Sequence, residues 1–246
     1  MKYDAKDLTI LLLVRTDSVA RMENVIATVE HLHKYFQTNI YVREADKYCN
    51  RILSNMLPKK TQYEFAEDND PILHKTWHFN QMMENIQTPL MGIWDADVIA
   101  DSNAIAECIN KLRTEEADLA LPYNGVCLDT SEIIRMLYLK VRNEDILMRH
   151  IGKMNRLSQH ILTGGAVLMN VKKFNRIGKE NEAYYGWGDD DFDRYIRFMN
   201  HGMKIYRSHQ VLFHLSHPRG YNSKYYCKLH QQLSKKELHR TQNELI

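Results

Sequence analysis

Short β-rich apolar runs alternate with longer stretches of helical period through the first hundred residues, and this alternation constrains the fold more than any other feature. It is the pattern of strands joined by crossover helices over a mainly parallel sheet. Residues 9–14 are almost all apolar, as expected of a strand covered on both faces. Val25, Ile26, Val29, Leu32 and Phe36 then recur at helical spacing. Residues 39–43 read as a second strand, the segment after Asp46 as a short helix ending near Pro58, and residues 62–66 as a third strand. A helix over 72–86 leads into a fourth strand at 90–94, and further helices are predicted over 103–113 and 131–149, with another buried strand at 166–170. At 246 residues and 44% hydrophobic, the chain supports one α/β domain, assigned to residues 1–222. The segment 223–246 is polar, basic and helix-prone. Its thin apolar stripe of Tyr226, Leu229, Leu233 and Leu238 predicts a helix docked on the body, with peripheral membrane contact as the alternative.

Lys+Arg 33 against Asp+Glu 31 leaves a formal charge of +2, so no global field favours nucleic acid and any charge-driven function is local. Cys49, Cys108, Cys127 and Cys227 form neither a C-x-x-C pair nor a disulfide-dense pattern, which suits a reducing compartment. The first residues carry no apolar signal core, and no run approaches the roughly 20 apolar residues of a membrane span. A soluble, cytoplasmic protein is expected.

The fourth strand stops abruptly on Asp95-Ala96-Asp97. Alternate side chains of a strand share a side, so these acids can converge where a hard cation and a diphosphate meet; such triplets also form turns and helix starts. Ligands of open sheets bind beyond the carboxyl ends of the strands, which places Arg15, Glu44, Asp95 and Asp97 along one crevice. Downstream come Thr163-Gly164-Gly165, then Gly186-Trp187-Gly188-Asp189-Asp190-Asp191-Phe192-Asp193, then His214-Leu215-Ser216-His217.

In this order, over about residues 8–222, the motifs resemble the GT-A class of nucleotide-sugar glycosyltransferases. The nearer likeness is to the β-1,4-galactosyltransferase group and its C-terminal motif, a module also found in polypeptide N-acetylgalactosaminyltransferases and bacterial polysaccharide polymerases. The family's Gly-Trp-Gly-x-Glu-Asp-x-Asp-x-x-x-Arg segment fits residues 186–197, with Asp190 in place of the usual Glu. The usual Pro of the first strand is replaced in Leu13-Val14-Arg15-Thr16.

The resemblance implies a single-domain GT-A fold, Rossmann-like, its mixed and mainly parallel sheet flanked by helices. It implies Asp97, His214 and His217 as metal ligands, and a mixed carboxylate and imidazole set suits manganese better than magnesium. Asp95 would meet the nucleotide ribose or a water on the cation, Lys75 the diphosphate, Arg15 the base or a phosphate, and Glu44 a uracil imide. Gly165 would lie on the strand beside the donor sugar. A sugar hydroxyl is a poor nucleophile until its proton is taken, and Asp191 is the expected base, with Asp190 an acceptor contact. Trp187 would stack on an acceptor ring or pack in the core. Asp189 and Asp193 are left to helix capping.

The implied reaction moves a hexose or N-acetylhexosamine from a UDP-sugar donor to a saccharide or glycoconjugate hydroxyl, with inversion, in surface polysaccharide or glycan synthesis. A retaining transferase and a nucleotide-sugar-binding or lectin-like module without turnover are the alternatives. A nucleotidyltransferase would carry a Gly-rich phosphate loop, which Val14-Arg15-Thr16-Asp17 lacks.

Overall fold

A computed structural model describes residues 2–244. The chain runs β1 (Tyr3–Val14), α1 (Val19–Tyr35), β2 (Phe36–Asp46), α2 (Ile52–Met56), β3 (Gln62–Glu67), α3 (Lys75–Met83), β4 (Leu90–Asp95) and β5 (Val98–Ala100). It continues through α4 (Ser102–Arg113), β6 (Leu119–Leu121), β7 (Cys127–Asp129), α5 (Glu132–Val141), α6 (Asp145–Arg149), β8 (Asn155–Arg156) and β9 (Ala166–Asn170). The last elements are α7 (Val171–Arg176), α8 (Asp190–Asn200), β10 (Ile205–Arg207), β11 (Leu212–His214) and α9 (Lys228–Asn243).

The larger sheet has the order β10-β6-β9-β4-β1-β2-β3. β1 pairs in parallel with both β2 and β4, and β2 with β3, so these strands end along one edge, as the crossover pattern predicts. Residues 8–14 of β1 are buried throughout, which explains their near-continuous apolarity. β9 runs antiparallel to both β4 and β6, making the sheet mixed.

A second sheet, β5-β11-β7-β8, is built from strands of two or three residues that no local pattern announced. Its start is set by the acid pair itself. After Asp95 the chain turns through Ala96 and Asp97 and leaves the large sheet for the small one. That turn is fastened from within: the indole of fully buried Trp94 donates to Val98 O at 3.2 Å, and Thr28 of α1 donates to Ala96 O at 3.2 Å.

Two expectations need correction. The helix expected over 131–149 is broken at Arg142, whose φ of 55° ends α5 while its N–H still reaches Tyr138 O. In α9, only Leu238 of the expected apolar stripe faces the body. Ser234 and Thr241 share that buried face, whereas Tyr226, Leu229 and Leu233 are exposed. The last two residues of the predicted tail lie outside the described residues. No helix among the described residues is long and apolar enough to cross a membrane.

Candidate active site

The small sheet carries the imidazoles to the acids. β11 pairs antiparallel with β5 so that His214 stands opposite Val98, and Leu215 N–H donates to Asp97 O at 2.7 Å. This register brings His217 Nε2 to 3.0 Å and His214 Nε2 to 3.7 Å from Asp97 Oδ2. One ligand atom from each of Asp97, His214 and His217 lies within 4.8 Å of the others. A carboxylate oxygen with two imidazole nitrogens is a donor set for a divalent cation such as manganese, so the residues present fit the expected metal.

On its other side β11 pairs with β7, setting His214 opposite Asp129. The Nδ1 of His214 lies 2.7 Å from Asp129 Oδ1, which fixes the ring and turns Nε2 toward Asp97. Asp129 carries no signal in the sequence, because its role depends on a pairing across 85 residues. Although burial alone would lower it, the Asp97 and Asp129 carboxylates hold the His214 imidazole up to about 9. A ligand imidazole must be neutral, so manganese affinity is expected to rise with pH toward 9, by about tenfold per unit. Calorimetric titrations at two pH values check the slope, and Asp129→Asn should weaken binding about tenfold.

The acid cluster at the start of α8 forms the facing half. Lys75, the first residue of α3, places Nζ 3.1 Å from Asp190, 3.4 Å from Asp191 and 4.0 Å from Asp95. It bridges the strand-end acids and the helix-start acids rather than standing free for a phosphate. Burial pushes the Asp190 carboxyl up to about 7 against the pull of Lys75. Burial also acts to raise Asp191, but Lys75 and Arg194 outweigh it and hold that carboxyl at about 2. Lys75 and Arg194 therefore favour the ionised form of Asp191, while burial favours the protonated form of Asp190.

Arg194 went unrecognised in the sequence, though its spacing of three from Asp191 on one helix was a legible cue. Its Nη2 donates to Asp191 Oδ1 at 2.9 Å, and its Nε to Glu180 Oε1 at 2.5 Å. Both members of the Arg194–Glu180 pair are buried. Arg194→Met should move the acid limb of any Asp191-dependent activity upward by about one pH unit, since it removes a cation favouring the ionised form. A pH–rate profile beside that of Arg194→Lys checks this.

The backbone of Gly164 packs against the acid cluster. A Cβ there would stand 1.9 Å from Asp191 Oδ2, so only glycine allows the carboxylate to sit against this strand. Gly165 has φ of 82°, and its carbonyl accepts from Asp95 N–H at 2.7 Å. The two glycines thus touch both acid groups.

Arg15 and Glu44 are held from within the protein. Both are buried. Arg15 donates to Ala45 O, Asp70 O, Pro71 O and the Asp68 carboxylate, bracing the loop after β3. Glu44 accepts from Thr16 Oγ1, and from Tyr63 OH at 2.6 Å. Their polar atoms are engaged by the protein and support the crevice wall.

Trp187 is 46% exposed and meets Tyr225 edge to face at 5.1 Å, which removes the core-packing alternative. Asp189 accepts from Tyr225 OH, Ser234 Oγ and Lys235 Nζ, clamping the Gly-Trp-Gly segment to the tail. Asp193 is buried and accepts from Tyr184, Arg197 and Thr241. Both are structural acids.

Residues 148–219 match the family described as the N-terminal domain of galactosyltransferase, a span that holds Gly164, Asp190, Asp191, His214 and His217. No curated protein matches the chain. Among solved structures the chain resembles the mannosyltransferase PcManGT from Pyrobaculum calidifontis in complex with GDP-Man and Mn2+. The TM-score is 0.57 at 13% identity, over 87% of this chain. This chain spans 58% of the length of that structure. The fold is that of GT-A glycosyltransferases, with a mostly parallel central sheet flanked by helices.

Proposed function

We propose that the chain is a metal-dependent glycosyltransferase that moves a hexose or N-acetylhexosamine from a UDP-sugar to a saccharide hydroxyl, with inversion, in glycan or surface polysaccharide synthesis. The observation that carries this reading is the opposition of two charged sets, Asp97 with His214 and His217, and Asp190 with Asp191, linked by Lys75. A divalent cation held by the first set would neutralise charge on the departing diphosphate. Asp95, on the donor side, contacts the ribose, and Lys75 lies where it can exchange a carboxylate for a phosphate oxygen. Gly165 leaves room for the donor sugar. On the acceptor side Asp191 takes the proton of the attacking hydroxyl, because Arg194 and Lys75 keep it ionised and Gly164 fixes its position. Asp190 hydrogen-bonds the acceptor, and the exposed Trp187 offers a ring face to a pyranose.

PcManGT binds GDP-Man, so GDP-sugars are the comparator. Nucleotide release should be measured from a panel of UDP- and GDP-sugars, with mixed oligosaccharide acceptors, with and without manganese. Manganese-dependent UDP release and a β-linked product from an α-linked donor support the proposal. Donor binding without release from any member would make the chain a binding module, and retained anomeric configuration would remove inversion.

A further inference from the structure

We propose that the outward ridge of α9 is a docking surface for an anionic lipid bilayer. The helix is fixed to the body along one side only. Ser234, Leu238 and Thr241 are buried there, Thr241 donates to Asp193, and Asn200 Nδ2 donates to Thr241 O at 2.9 Å. At 3.6 residues per turn, positions 229, 233, 236 and 240 gather on one side turned away from that contact, with 233 on its near flank. They are Leu229, Leu233, Lys236 and Arg240, all exposed, the leucines at 63% and 56%, and Tyr226 adds a 56% exposed ring just before the helix.

The charge on this stretch is one-sided. Lys224, Lys228 and Lys236 are exposed and make no ion pair among the described residues, whereas Lys235 pairs with Asp189 and Arg240 with Glu237 and Glu244. In a chain whose overall charge is +2, that concentration is local. Leu229, Leu233 and Lys236 on one face, with Lys224 and Lys228 beside it, choose among occupants. A second copy apposing this face would set lysines against lysines. A nucleic acid would satisfy the cations and leave the leucines in water. An anionic interface satisfies both, with phosphates meeting the ammonium groups and the short apolar ridge entering the headgroup boundary.

The ridge belongs to the element that clamps Asp189 through Tyr225, Ser234 and Lys235. Docking would therefore hold Trp187, Asp190 and Asp191 close to the bilayer, which suits an acceptor saccharide carried on a lipid; this consequence rests on the proposed function, whereas the surface does not.

The test is co-sedimentation of the full chain with phosphatidylcholine vesicles lacking or containing about 30% phosphatidylglycerol. Binding is expected only to the anionic vesicles, falling about tenfold when salt is raised to about 0.5 M. Leu229→Glu with Leu233→Glu should reduce it at least about tenfold at unchanged circular dichroism and unchanged nucleotide release, and Lys228→Gln with Lys236→Gln should flatten the salt dependence. Equal binding to neutral vesicles, no binding by the wild type, or full binding by the leucine variant would overturn the proposal. So would a dimer in sedimentation velocity that the leucine variant dissolves while vesicle binding is absent. Vesicle binding by a chain that releases nucleotide from no donor would leave the surface standing and remove the transferase reading.

Discussion

Asp191→Asn is expected to lower the transfer rate by about 10²–10⁴-fold while donor affinity stays within a factor of about two. The amide keeps the shape that fits against Gly164 and can still accept from Arg194 Nη2, so local geometry survives. It cannot take a proton. Its NH2 would face Lys75, whose Nζ lies 3.4 Å from Asp191 Oδ2, and the lysine would turn to Asp190 at 3.1 Å. The proposed donor contacts lie on the other side of that lysine, around Asp95 and Asp97, which is why binding should persist. Steady-state rates beside calorimetric donor binding check the split. A rate within threefold of wild type would move the base to another group, with Asp190 next in line.

Asp97→Ala should abolish manganese-stimulated turnover, a loss of about 10²–10³-fold or more, because it removes the one carboxylate in the ligand set. The loss extends beyond a missing contact. Asp97 is what draws His214 and His217 together, and without it the two rings, 5.2 Å apart, face each other with no anion between them. His214 would then lose the carboxylate that chiefly raises its proton affinity and keep only Asp129. The variant should bind manganese far more weakly and lose the steep pH dependence of binding expected of the wild type. Manganese titration and rate against manganese concentration both report it. Wild-type affinity in this variant would exclude the triad as the metal site.

The four parallel strands and the acid pair were legible because each is a local pattern: a buried strand must be apolar along its length, and its end is marked where charge begins. The sheet of β5, β11, β7 and β8 was not, since strands of two or three residues carry no period and exist only through partners far away in the chain. Asp129 was invisible for the same reason. The break at Arg142 was hidden because apolar spacing continues across it and a single left-handed residue leaves no compositional trace. Arg15 follows β1 and Glu44 lies two residues before the end of β2, but the partners each takes within the protein depend on burial, which residue type alone does not reveal. On α9 the apolar period was read as a packing face, whereas the small residues Ser234 and Thr241 share the contact and two leucines point away.

The register of β11 has one last effect, on the order of events during self-assembly. This strand takes both neighbours from distant sequence, Val98 on one flank and Asp129 on the other, so its loops close late compared with the local helices. Capture of a cation by the proposed triad of Asp97, His214 and His217 would have to follow that closure. Loss of the free manganese EPR signal during refolding is therefore expected to time the chain's slowest long-range pairing.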